Sequence, residues 1–366
     1  MKPRLKPFVE YCYSNGKISF FARPGVAIEI DDQNKYVLTA CQLLDGCRDI
    51  QDLKSSLSKI YPEDAENIEE LLELLDSEGL LEDVSTFDRG GLTEYDVERW
   101  SRNAEFFGAY CKSNENKFSH QKKIKNTKVT LLGLGGVGSS VLMNLAALGV
   151  KNIRIVDFDK VELSNLNRQV IYNEADIGKF KAEIARDKIL AFYPDANIEP
   201  VSLKIASSLD IENLIDGRDF VINAADQPRG EMIDWLNVAC VNKRKPFICG
   251  ALDYRYAVCY SVVPGQSGCI ECWKVGARQS SRIFQDYLNQ DGFFPAPSLN
   301  VAIMPFISIV GGLVAADFLK IVTGIKKPAS LGKLQSFDFE TGHISIIESW
   351  EKNAECLMCG ELVSAN

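Results

Sequence analysis

A glycine-rich segment between a short apolar strand and an apolar helix constrains the fold of this 366-residue chain more than any other feature. The segment, Gly133-Leu-Gly135-Gly136-Val-Gly138, follows a predicted strand at 128–132 and opens a predicted helix at 136–148. Glycines let the backbone approach a phosphate closely, and a helix N-terminus favours its negative charge. Asp157 ends the next predicted strand, where its carboxylate can accept hydrogen bonds from ribose hydroxyls. These residues predict a nucleotide site, and taken alone they suit an NAD-dependent dehydrogenase as well as other nucleotide enzymes.

Strands and helices alternate along the rest of the chain from residue 128. Further strands are predicted at 152–156, 219–223 and 246–250, with antiparallel additions at 254–262 and 336–347. Strands that alternate with helices of this length are typical of a doubly wound sheet. We therefore predict an α/β fold with a mostly parallel sheet in a domain at 128–366.

The front of the chain, at 1–85, differs from the rest in charge and in pattern. It holds nine Lys and Arg and seventeen Asp and Glu, a net charge of −8, which leaves only −1 for the remainder of the chain. Asn15-Gly16 stands between two runs of alternating apolar residues and predicts a β-hairpin. Ile68, Leu71 and Leu75 have the spacing of an amphipathic helix. We predict a small winged-helix-like domain at 1–85, followed by a helical linker at 86–127.

Asp157 also begins an ordered series of polar motifs. Asp157-Phe-Asp159 is followed by Ser164-Asn165-Leu-Asn-Arg168-Gln169, then by Gly178-Lys-Phe-Lys181, and later by Asp226 after the strand at 219–223. This order resembles the ATP site of the ubiquitin-activating-enzyme-like adenylating family, in its bacterial ThiF/MoeB branch. The resemblance implies a Rossmann-like enzyme that uses ATP to convert a carboxylate into an acyl adenylate, with release of pyrophosphate.

The resemblance implies a role for each polar residue of these motifs. Arg168 and Lys181 would hold the β- and γ-phosphates, because positive charge must offset both the attacking carboxylate and the leaving pyrophosphate. Asp226 would bind Mg²⁺, which prefers oxygen ligands. The other nucleotide-binding positions are Gly133, Gly135, Gly136 and Gly138, Asp157 for the ribose, Asp159, Ser164, and Asn165 for a phosphate.

The family is usually dimeric, with an arginine of one subunit reaching the triphosphate bound to the other. Arg99-Trp-Ser-Arg102-Asn matches that motif, so Arg102 is the candidate residue. Without the order of the motifs, a solvated helix face would explain Arg102 and Lys181 better than a nucleotide does. With that order, the resemblance implies a homodimer in which Arg102 completes the catalytic set of Arg168, Lys181 and Asp226.

Four of the eleven cysteines form two C-x-x-C pairs, Cys269–Cys272 and Cys356–Cys359. Two such pairs can supply four thiolates to one zinc ion, which leaves no ligand position for water and makes the site structural. The resemblance implies zinc at these positions, and four buried unligated thiols are the alternative. No cysteine stands between Cys272 and Cys356, although relatives that form a thioester or persulfide place a reactive cysteine at about 275–300. The acyl adenylate is therefore expected to react with a group of the substrate itself.

The segments at 36–50 and 71–81 resemble the PqqD-like recognition domain of enzymes that mature ribosomally made peptides. In that family a leader peptide adds a strand to the edge of a three-stranded sheet and packs on a helix. A recognition domain joined to an adenylating domain resembles the pantocin-type and microcin C-type peptide maturases. The pantocin type activates glutamate side chains and lets the peptide cyclise, whereas the microcin C type activates a C-terminal asparagine and ends as an adenylylated peptide.

We favour the pantocin-type outcome, although no single residue separates the two. A sulfur-carrier adenylyltransferase would share the ATP site but would need no leader domain. An NAD-dependent dehydrogenase would not explain Arg168, Lys181 or the cysteine pairs. A peptide-binding scaffold without catalysis would not need the charged residues of the ATP site.

Composition argues against several other classes of protein. The net charge of −9 argues against a nucleic-acid partner, which normally requires a basic face. The two histidines, His120 and His343, are too few for a histidine-based triad or metal site. The start of the chain lacks the apolar stretch of a secretory signal, and Pro305 and Asp317 interrupt the apolar run at 301–319, which favours a buried helix over a membrane span. The enzyme is therefore expected in the cytoplasm, without a membrane partner.

Overall fold

The computed structural model describes residues 1–23, 25–228, 230–280 and 301–361. The chain folds into two compact units, Met1–Lys123 and Ile124–Asn366. Most of the segment at 275–300, where relatives place a reactive cysteine, lies outside the described residues.

The front unit combines antiparallel strands with helices that cover one side of the sheet. The part at 1–85 forms β1 (Pro3–Leu5), β2 (Glu10–Ser14), β3 (Lys17–Arg23), β4 (Val26–Asp31), α1 (Tyr36–Leu43), α2 (Ile50–Ser58), α3 (Ile68–Ser77) and β5 (Leu81–Asp83). Strands β2, β3 and β4 form one antiparallel sheet, in which β2 and β4 are the edges. Asn15 and Gly16 have φ angles of 52° and 73°, which confirms the predicted hairpin between β2 and β3. Wholly buried Phe20, Leu53 and Ile68 share one apolar core between sheet and helices.

A second, two-stranded sheet pairs β1 with β5 and is not predicted from the sequence. Arg4 of β1 forms an ion pair with Glu82 of β5. Lys117, whose side chain is 2% exposed, donates to Glu82 at 3.0 Å and to Glu105 at 2.8 Å. Glu105 lies on α5 (Ser101–Gly108), between α4 (Glu94–Arg99) and α6 (Phe118–Asn126). Because both strands are very short and lie far apart along the chain, local periodicity carries no signal for this pairing.

The second unit is built on an eight-stranded sheet. Its strands are β6 (Lys128–Leu132), β7 (Asn152–Val156), β8 (Asn197–Val201), β9 (Phe220–Asn223), β10 (Phe247–Leu252), β11 (Tyr256–Val262), β12 (Lys333–Asp338) and β13 (Ile344–Ser349). Its helices are α7 (Gly136–Leu148), α8 (Lys181–Phe192), α9 (Ser208–Leu214), α10 (Glu231–Asn242), α11 (Ile270–Ser280) and α12 (Met304–Thr323).

The strand order in this sheet is β13-β12-β11-β10-β9-β6-β7-β8. The five strands from β10 to β8 are parallel to their neighbours, and β11, β12 and β13 are antiparallel additions. This confirms the predicted mostly parallel α/β sheet. The segment at 336–347, predicted as one addition, takes part in a hairpin of two strands, and β8 is an edge strand that the sequence analysis does not predict.

Helix α12 is long and apolar enough to cross a membrane by length and composition alone, but half of its most apolar window is buried within the protein. It packs on α7 and β10, where its Val314 lies against Gly250. Buried Asp317 accepts hydrogen bonds from the N–H groups of Ala329 and Ser330 at 3.2 Å and 2.8 Å. The helix is therefore the buried core element that the interrupted apolar run predicts.

Candidate nucleotide and metal sites

The parallel sheet creates a crevice where its strand order reverses. From β6 the chain passes to β7 on one side, whereas β9 pairs with β6 on the other. Ligands of doubly wound sheets bind at such a point, outside the carboxyl ends of the strands. The glycine-rich segment leaves β6 at this edge, and Asp226 follows β9 at the same edge.

The conformation of the glycine-rich turn requires glycine at two positions, because a side chain at either would clash with the backbone. Gly133 has a φ angle of +87°, and a Cβ there would stand 2.8 Å from the backbone nitrogen of Ala225. A Cβ on Gly138 would overlap the carbonyl oxygen of Gly133. Helix α7 then begins without a side-chain cap and without an acidic residue in its first turn. Its first N–H groups are therefore left for an anion.

Asp157, at the end of β7, holds the turn in place. One carboxylate oxygen accepts a hydrogen bond from the N–H of Leu134 at 2.6 Å, and the other accepts from the N–H of Asp159 at 2.8 Å. Burial raises the pKa of Asp157, while the nearby positive charge of Lys181 and these hydrogen bonds oppose the rise. The carboxylate thus lies beside the glycine-rich turn and is largely shielded from solvent.

Lys181 is the first residue of α8 and is directed by Asp159. Its Nζ lies 3.0 Å from Oδ2 of Asp159, and its backbone N–H donates to the carbonyl oxygen of Asp159 at 2.9 Å. The side chain of Lys181 is 6% exposed, whereas that of Asp159 is 49% exposed. A lysine buried in this way presents a fixed positive charge rather than a mobile surface charge.

The turn at 162–169 positions the remaining predicted phosphate contacts. Oδ1 of buried Asn165 accepts a hydrogen bond from the N–H of Glu162 at 3.1 Å, which closes the turn. Ser164 is exposed, and its carbonyl oxygen accepts from Nη1 of Arg168 at 2.8 Å. The stem of Arg168 lies at the first turn of α7, 3.7 Å from where a Cβ on Gly136 would stand. Arg168 therefore lies at the crevice, and its guanidinium is hydrogen-bonded to residues of its own turn.

Two further predicted residues are exposed. Asp226 follows Ala225, which contacts Gly133, and within the described part of the chain its carboxylate has no hydrogen bond or ion pair. Arg102 lies on α5 of the front unit. The crevice of the second unit thus brings together the glycines, Asp157, Asp159, Ser164, Asn165, Arg168, Lys181 and Asp226.

Tyr172 is a member of this crevice that the sequence analysis does not identify. Its buried hydroxyl donates to the carbonyl oxygen of Leu134 at 3.1 Å, next to the turn that Asp157 also holds. Burial raises the pKa of Tyr172, so it stays a neutral donor. Its position three residues after Gln169, at the end of a polar motif, is the only signal in the sequence that could have identified it.

A shallow apolar pocket of about 70 Å³ lies at the same edge of the sheet, beyond β10. Tyr254, 78% exposed, and buried Phe306 contribute aromatic surface to it. Ile307, next to Phe306, packs against α7, because a Cβ on Gly136 would stand 2.6 Å from its Cδ1. The pocket therefore adjoins the glycine-rich turn through α12. Its lining residues are Asp253, Tyr254, Val301, Ile303, Phe306 and Phe339.

The two cysteine pairs form one buried cluster at the start of α11. All four sulfur atoms lie within 4.8 Å of one another, with Cys269 3.7 Å from Cys356 and Cys272 3.4 Å from Cys359. The thiol of Cys269 and the N–H of Asn353 donate to Cys272 and lower its pKa, which favours a thiolate. Four sulfur ligands at these separations fit a tetrahedral zinc site, in which a single ion would replace the thiol–thiol contacts.

Known proteins resemble this chain in sequence over most of its length. A sequence model of the ThiF family matches residues 102–358, well over half of the chain. The molybdopterin-synthase adenylyltransferase of Escherichia coli is 31% identical over 247 residues, 67% of this chain and 91% of that protein. The sulfur carrier protein adenylyltransferase of Thermus thermophilus is 30% identical over 66% of this chain and 85% of its own length.

Two solved proteins are similar over both units of the chain. Escherichia coli MccB with ATP has a TM-score of 0.77 at 23% identity, and the match covers 99% of this chain and 100% of MccB. MccB has also been solved with MccA. PaaA has a TM-score of 0.73 at 27% identity over 95% of this chain and 100% of PaaA. These findings confirm the adenylating family and the Rossmann-like fold that the motif order predicts.

Proposed function

The chain belongs to the ThiF family and is an ATP-dependent adenylating enzyme, and from that premise we propose that its substrate is a carboxylate of a ribosomally made precursor peptide. The observation that carries this proposal is the front unit. The molybdopterin-synthase adenylyltransferase match leaves a third of this chain uncovered, whereas MccB and PaaA match nearly all of it. MccB was solved with MccA bound, so a fold of this kind accommodates a second polypeptide.

The sheet of the front unit supports leader binding. Its edge strands, β2 and β4, offer backbone groups to which an extended peptide can add as a further strand. The part of the chain at 1–85 carries a net charge of −8, which favours a leader that contains lysine or arginine. We therefore assign leader recognition to residues 1–85 and adenylation to residues 128–366, joined by the helical segment at 86–127.

The residues of the crevice suit attack of a carboxylate on the α-phosphate. A carboxylate oxygen bonds to the α-phosphorus, the bond to the bridging oxygen breaks, and pyrophosphate leaves. Lys181, held by Asp159, and Arg168, once released from the Ser164 carbonyl, neutralise the leaving group. Asp157 accepts hydrogen bonds from the ribose, and Asn165 contacts a phosphate.

The exposed carboxylate of Asp226 fits a Mg²⁺ ligand, because it faces solvent beside the phosphate-binding turn and has no described partner. Bound Mg²⁺ would reduce the repulsion between the substrate carboxylate and the triphosphate. Arg102 is exposed on α5, as a residue that acts on the partner subunit of a homodimer must be. The eleven free cysteines suit a reducing cytoplasm.

The apolar pocket beside the crevice supports a peptide as the substrate. Tyr254 and Phe339 offer exposed aromatic surface that can pack on side chains flanking the activated carboxylate. We propose that the activated groups are glutamate side chains and that the peptide cyclises with loss of AMP, as in the pantocin type. The absence of a cysteine between Cys272 and Cys356 favours attack by a group of the peptide over transfer to an enzyme thiol.

Mass spectrometry of the precursor peptide encoded beside the gene tests this proposal directly. After incubation with the enzyme, ATP and Mg²⁺, we expect a loss of water, with or without carbon dioxide. Heat-inactivated enzyme is the control. A gain of one adenylyl group would instead establish the microcin C-type reaction, which is the alternative. An unchanged peptide, together with pyrophosphate exchange that requires a carrier ending in Gly-Gly, would overturn the proposal in favour of sulfur-carrier adenylation.

Replacing Asp226 with alanine is expected to separate catalysis from recognition. ATP–pyrophosphate exchange should fall by roughly a hundredfold or more, because the metal loses a carboxylate ligand. Leader affinity, measured by fluorescence anisotropy, should stay within twofold of wild type, since residues 1–85 are unchanged. Asp216→Ala, which removes an 80% exposed carboxylate from the turn before β9 and outside the crevice, is the control for loss of an acidic charge. Unchanged exchange in Asp226→Ala would mean that another residue holds the metal.

A further inference from the structure

The apolar pocket beyond β10 contains one charged residue. Its six lining residues include Asp253 and no lysine, arginine or histidine. Asp253 is exposed, and its Oδ1 accepts hydrogen bonds from the N–H groups of Arg255 and Tyr256 at 2.7 and 2.6 Å, which fixes the carboxylate in the turn between β10 and β11. Its Oδ2 makes no hydrogen bond or ion pair with any residue that the structure describes. This oxygen is therefore left to water or to a ligand of the pocket.

Arg255, two residues after Asp253, does not neutralise the charge of this carboxylate. Its Nε and Nη2 donate to the two carboxylate oxygens of Asp338 at 3.0 and 2.9 Å, and its Nη1 lies 2.9 Å from Oε2 of Glu340. A guanidinium bound to one carboxylate through two nitrogens is held in a fixed orientation. Two acidic residues thus engage the one basic residue of this turn, and the pocket keeps the negative charge of Asp253.

The rest of the pocket is apolar and partly aromatic. Phe306 is buried, and its ring packs against that of Phe339 with the two centroids 5.2 Å apart. Phe339 is 59% exposed and Tyr254 is 78% exposed, so both rings are accessible to a ligand. The face of an aromatic ring attracts a cation, and a planar guanidinium can stack on it. With a volume of about 70 Å³, the pocket has room for the end of a single side chain.

We propose that this pocket binds an arginine side chain of the precursor peptide, close to the residue that is activated. The guanidinium stacks on the exposed rings and donates to Oδ2 of Asp253, while the methylene stem packs on Val301 and Ile303. A purely apolar side chain would instead dehydrate the carboxylate without giving it a partner. Because the pocket adjoins the glycine-rich turn through α12, an arginine held there keeps the peptide beside the crevice. This inference rests on the peptide substrate proposed above.

The test compares arginine with citrulline, which has nearly the same shape but no charge, in the precursor peptide encoded beside the gene. Each position within two residues of the activated residue carries one or the other in turn, and kcat/KM of the full-chain enzyme is measured by mass spectrometry of the product. Asp253→Asn removes the charge but keeps an Oδ1 that can accept the two backbone hydrogen bonds of the turn. Asp216→Asn, at an 80% exposed carboxylate outside the crevice, is the matched control.

In the wild-type enzyme we expect one position at which arginine raises kcat/KM roughly tenfold over citrulline, because an exposed ion pair and a cation–π contact each contribute modestly. Asp253→Asn should lower this preference by about threefold or more at the same position, through a higher KM for the arginine peptide. Its kcat/KM for the citrulline peptide should stay within about twofold of wild type, since that peptide has no charge to lose a partner. Asp216→Asn should keep the wild-type preference.

Three results would overturn the proposal while leaving the peptide substrate in place. One is a wild-type enzyme that modifies the peptides but prefers arginine by less than about twofold at every position. Another is an undiminished preference in Asp253→Asn, which would mean that the arginine binds elsewhere. The third is an equal loss of preference in Asp253→Asn and Asp216→Asn, which would mean that the overall charge of the enzyme causes it. A wild-type enzyme that modifies none of the peptides would instead overturn the proposed function, and this inference with it.

Discussion

Replacing Lys181 with methionine is expected to lower ATP–pyrophosphate exchange by roughly a hundredfold to a thousandfold, the loss typical of removing one charge-stabilising donor from an active site. The side chain of Lys181 is 6% exposed, so water cannot readily replace its charge. Asp159 fixes its Nζ at 3.0 Å, which gives the ammonium one position relative to the triphosphate. Methionine fills much of the same volume but has no positive charge to stabilise the departing pyrophosphate.

Lys179→Met is the matched control, because it removes a lysine two positions away. The side chain of Lys179 is 56% exposed and lies 3.9 Å from Asp176, which also pairs with Lys188 at 3.4 Å and keeps that partner in the variant. Exchange should stay within about twofold of wild type in this variant. Both variants should melt within a few degrees of wild type, since Asp159 remains solvated in the absence of Lys181. Equal exchange in the two variants would exclude Lys181 from the phosphate site.

The elements that the sequence predicts with correct bounds are those with short-range causes. Strand β6 matches its predicted range because it is a mainly apolar, buried run, and β7 does so because buried Ile153 and Ile155 alternate with half-buried polar residues. Helix α7 ends where Gly149 adopts a φ angle of 91°. Strand β8 escapes prediction because it contains Pro200, which is disfavoured within a sheet but is accepted on an edge strand such as this one. The pairing of β1 with β5 depends on contacts between the two ends of the front unit, which no local pattern contains.

In the candidate site, too, the sequence predicts some features and only the structure reveals others. The order of the motifs predicts which residues approach the nucleotide, and the structure brings the turns after β6, β7 and β9 to one edge of the sheet, as that prediction requires. The order of the motifs does not reveal which of these side chains already make hydrogen bonds within the protein. Arg168 is bound to the carbonyl of Ser164, and Gln169 beside it is unpaired. That distinction follows from the three-dimensional path of the turn at 162–169, and it determines which residue must rearrange when ATP binds.

The cysteine cluster provides the second large effect, which concerns stability. We propose that Cys269, Cys272, Cys356 and Cys359 hold one structural zinc ion that joins the end of the chain to α11. Cys272→Ala is then expected to reduce the zinc content, measured by plasma mass spectrometry, from about one ion per chain to well below that value. The Tm should fall by roughly 10 °C, because the binding free energy of a structural metal contributes directly to folding.

Cys240→Ala is the control for this experiment, since Cys240 is a wholly buried thiol outside the cluster. It should retain the zinc ion and lose only the stability associated with one missing sulfur atom in a packed core. A chelator should lower the Tm of wild type and of Cys240→Ala but leave that of Cys272→Ala unchanged, because this variant has no ion to lose. Wild-type protein that contains no zinc, or equal melting of the two alanine variants, would mean that the four thiols pack without a metal. Sulfur separations of 3.4 and 3.7 Å across the two pairs, with all four sulfur atoms within 4.8 Å of one another, favour the ion, since four thiolates at such separations can share one tetrahedral zinc.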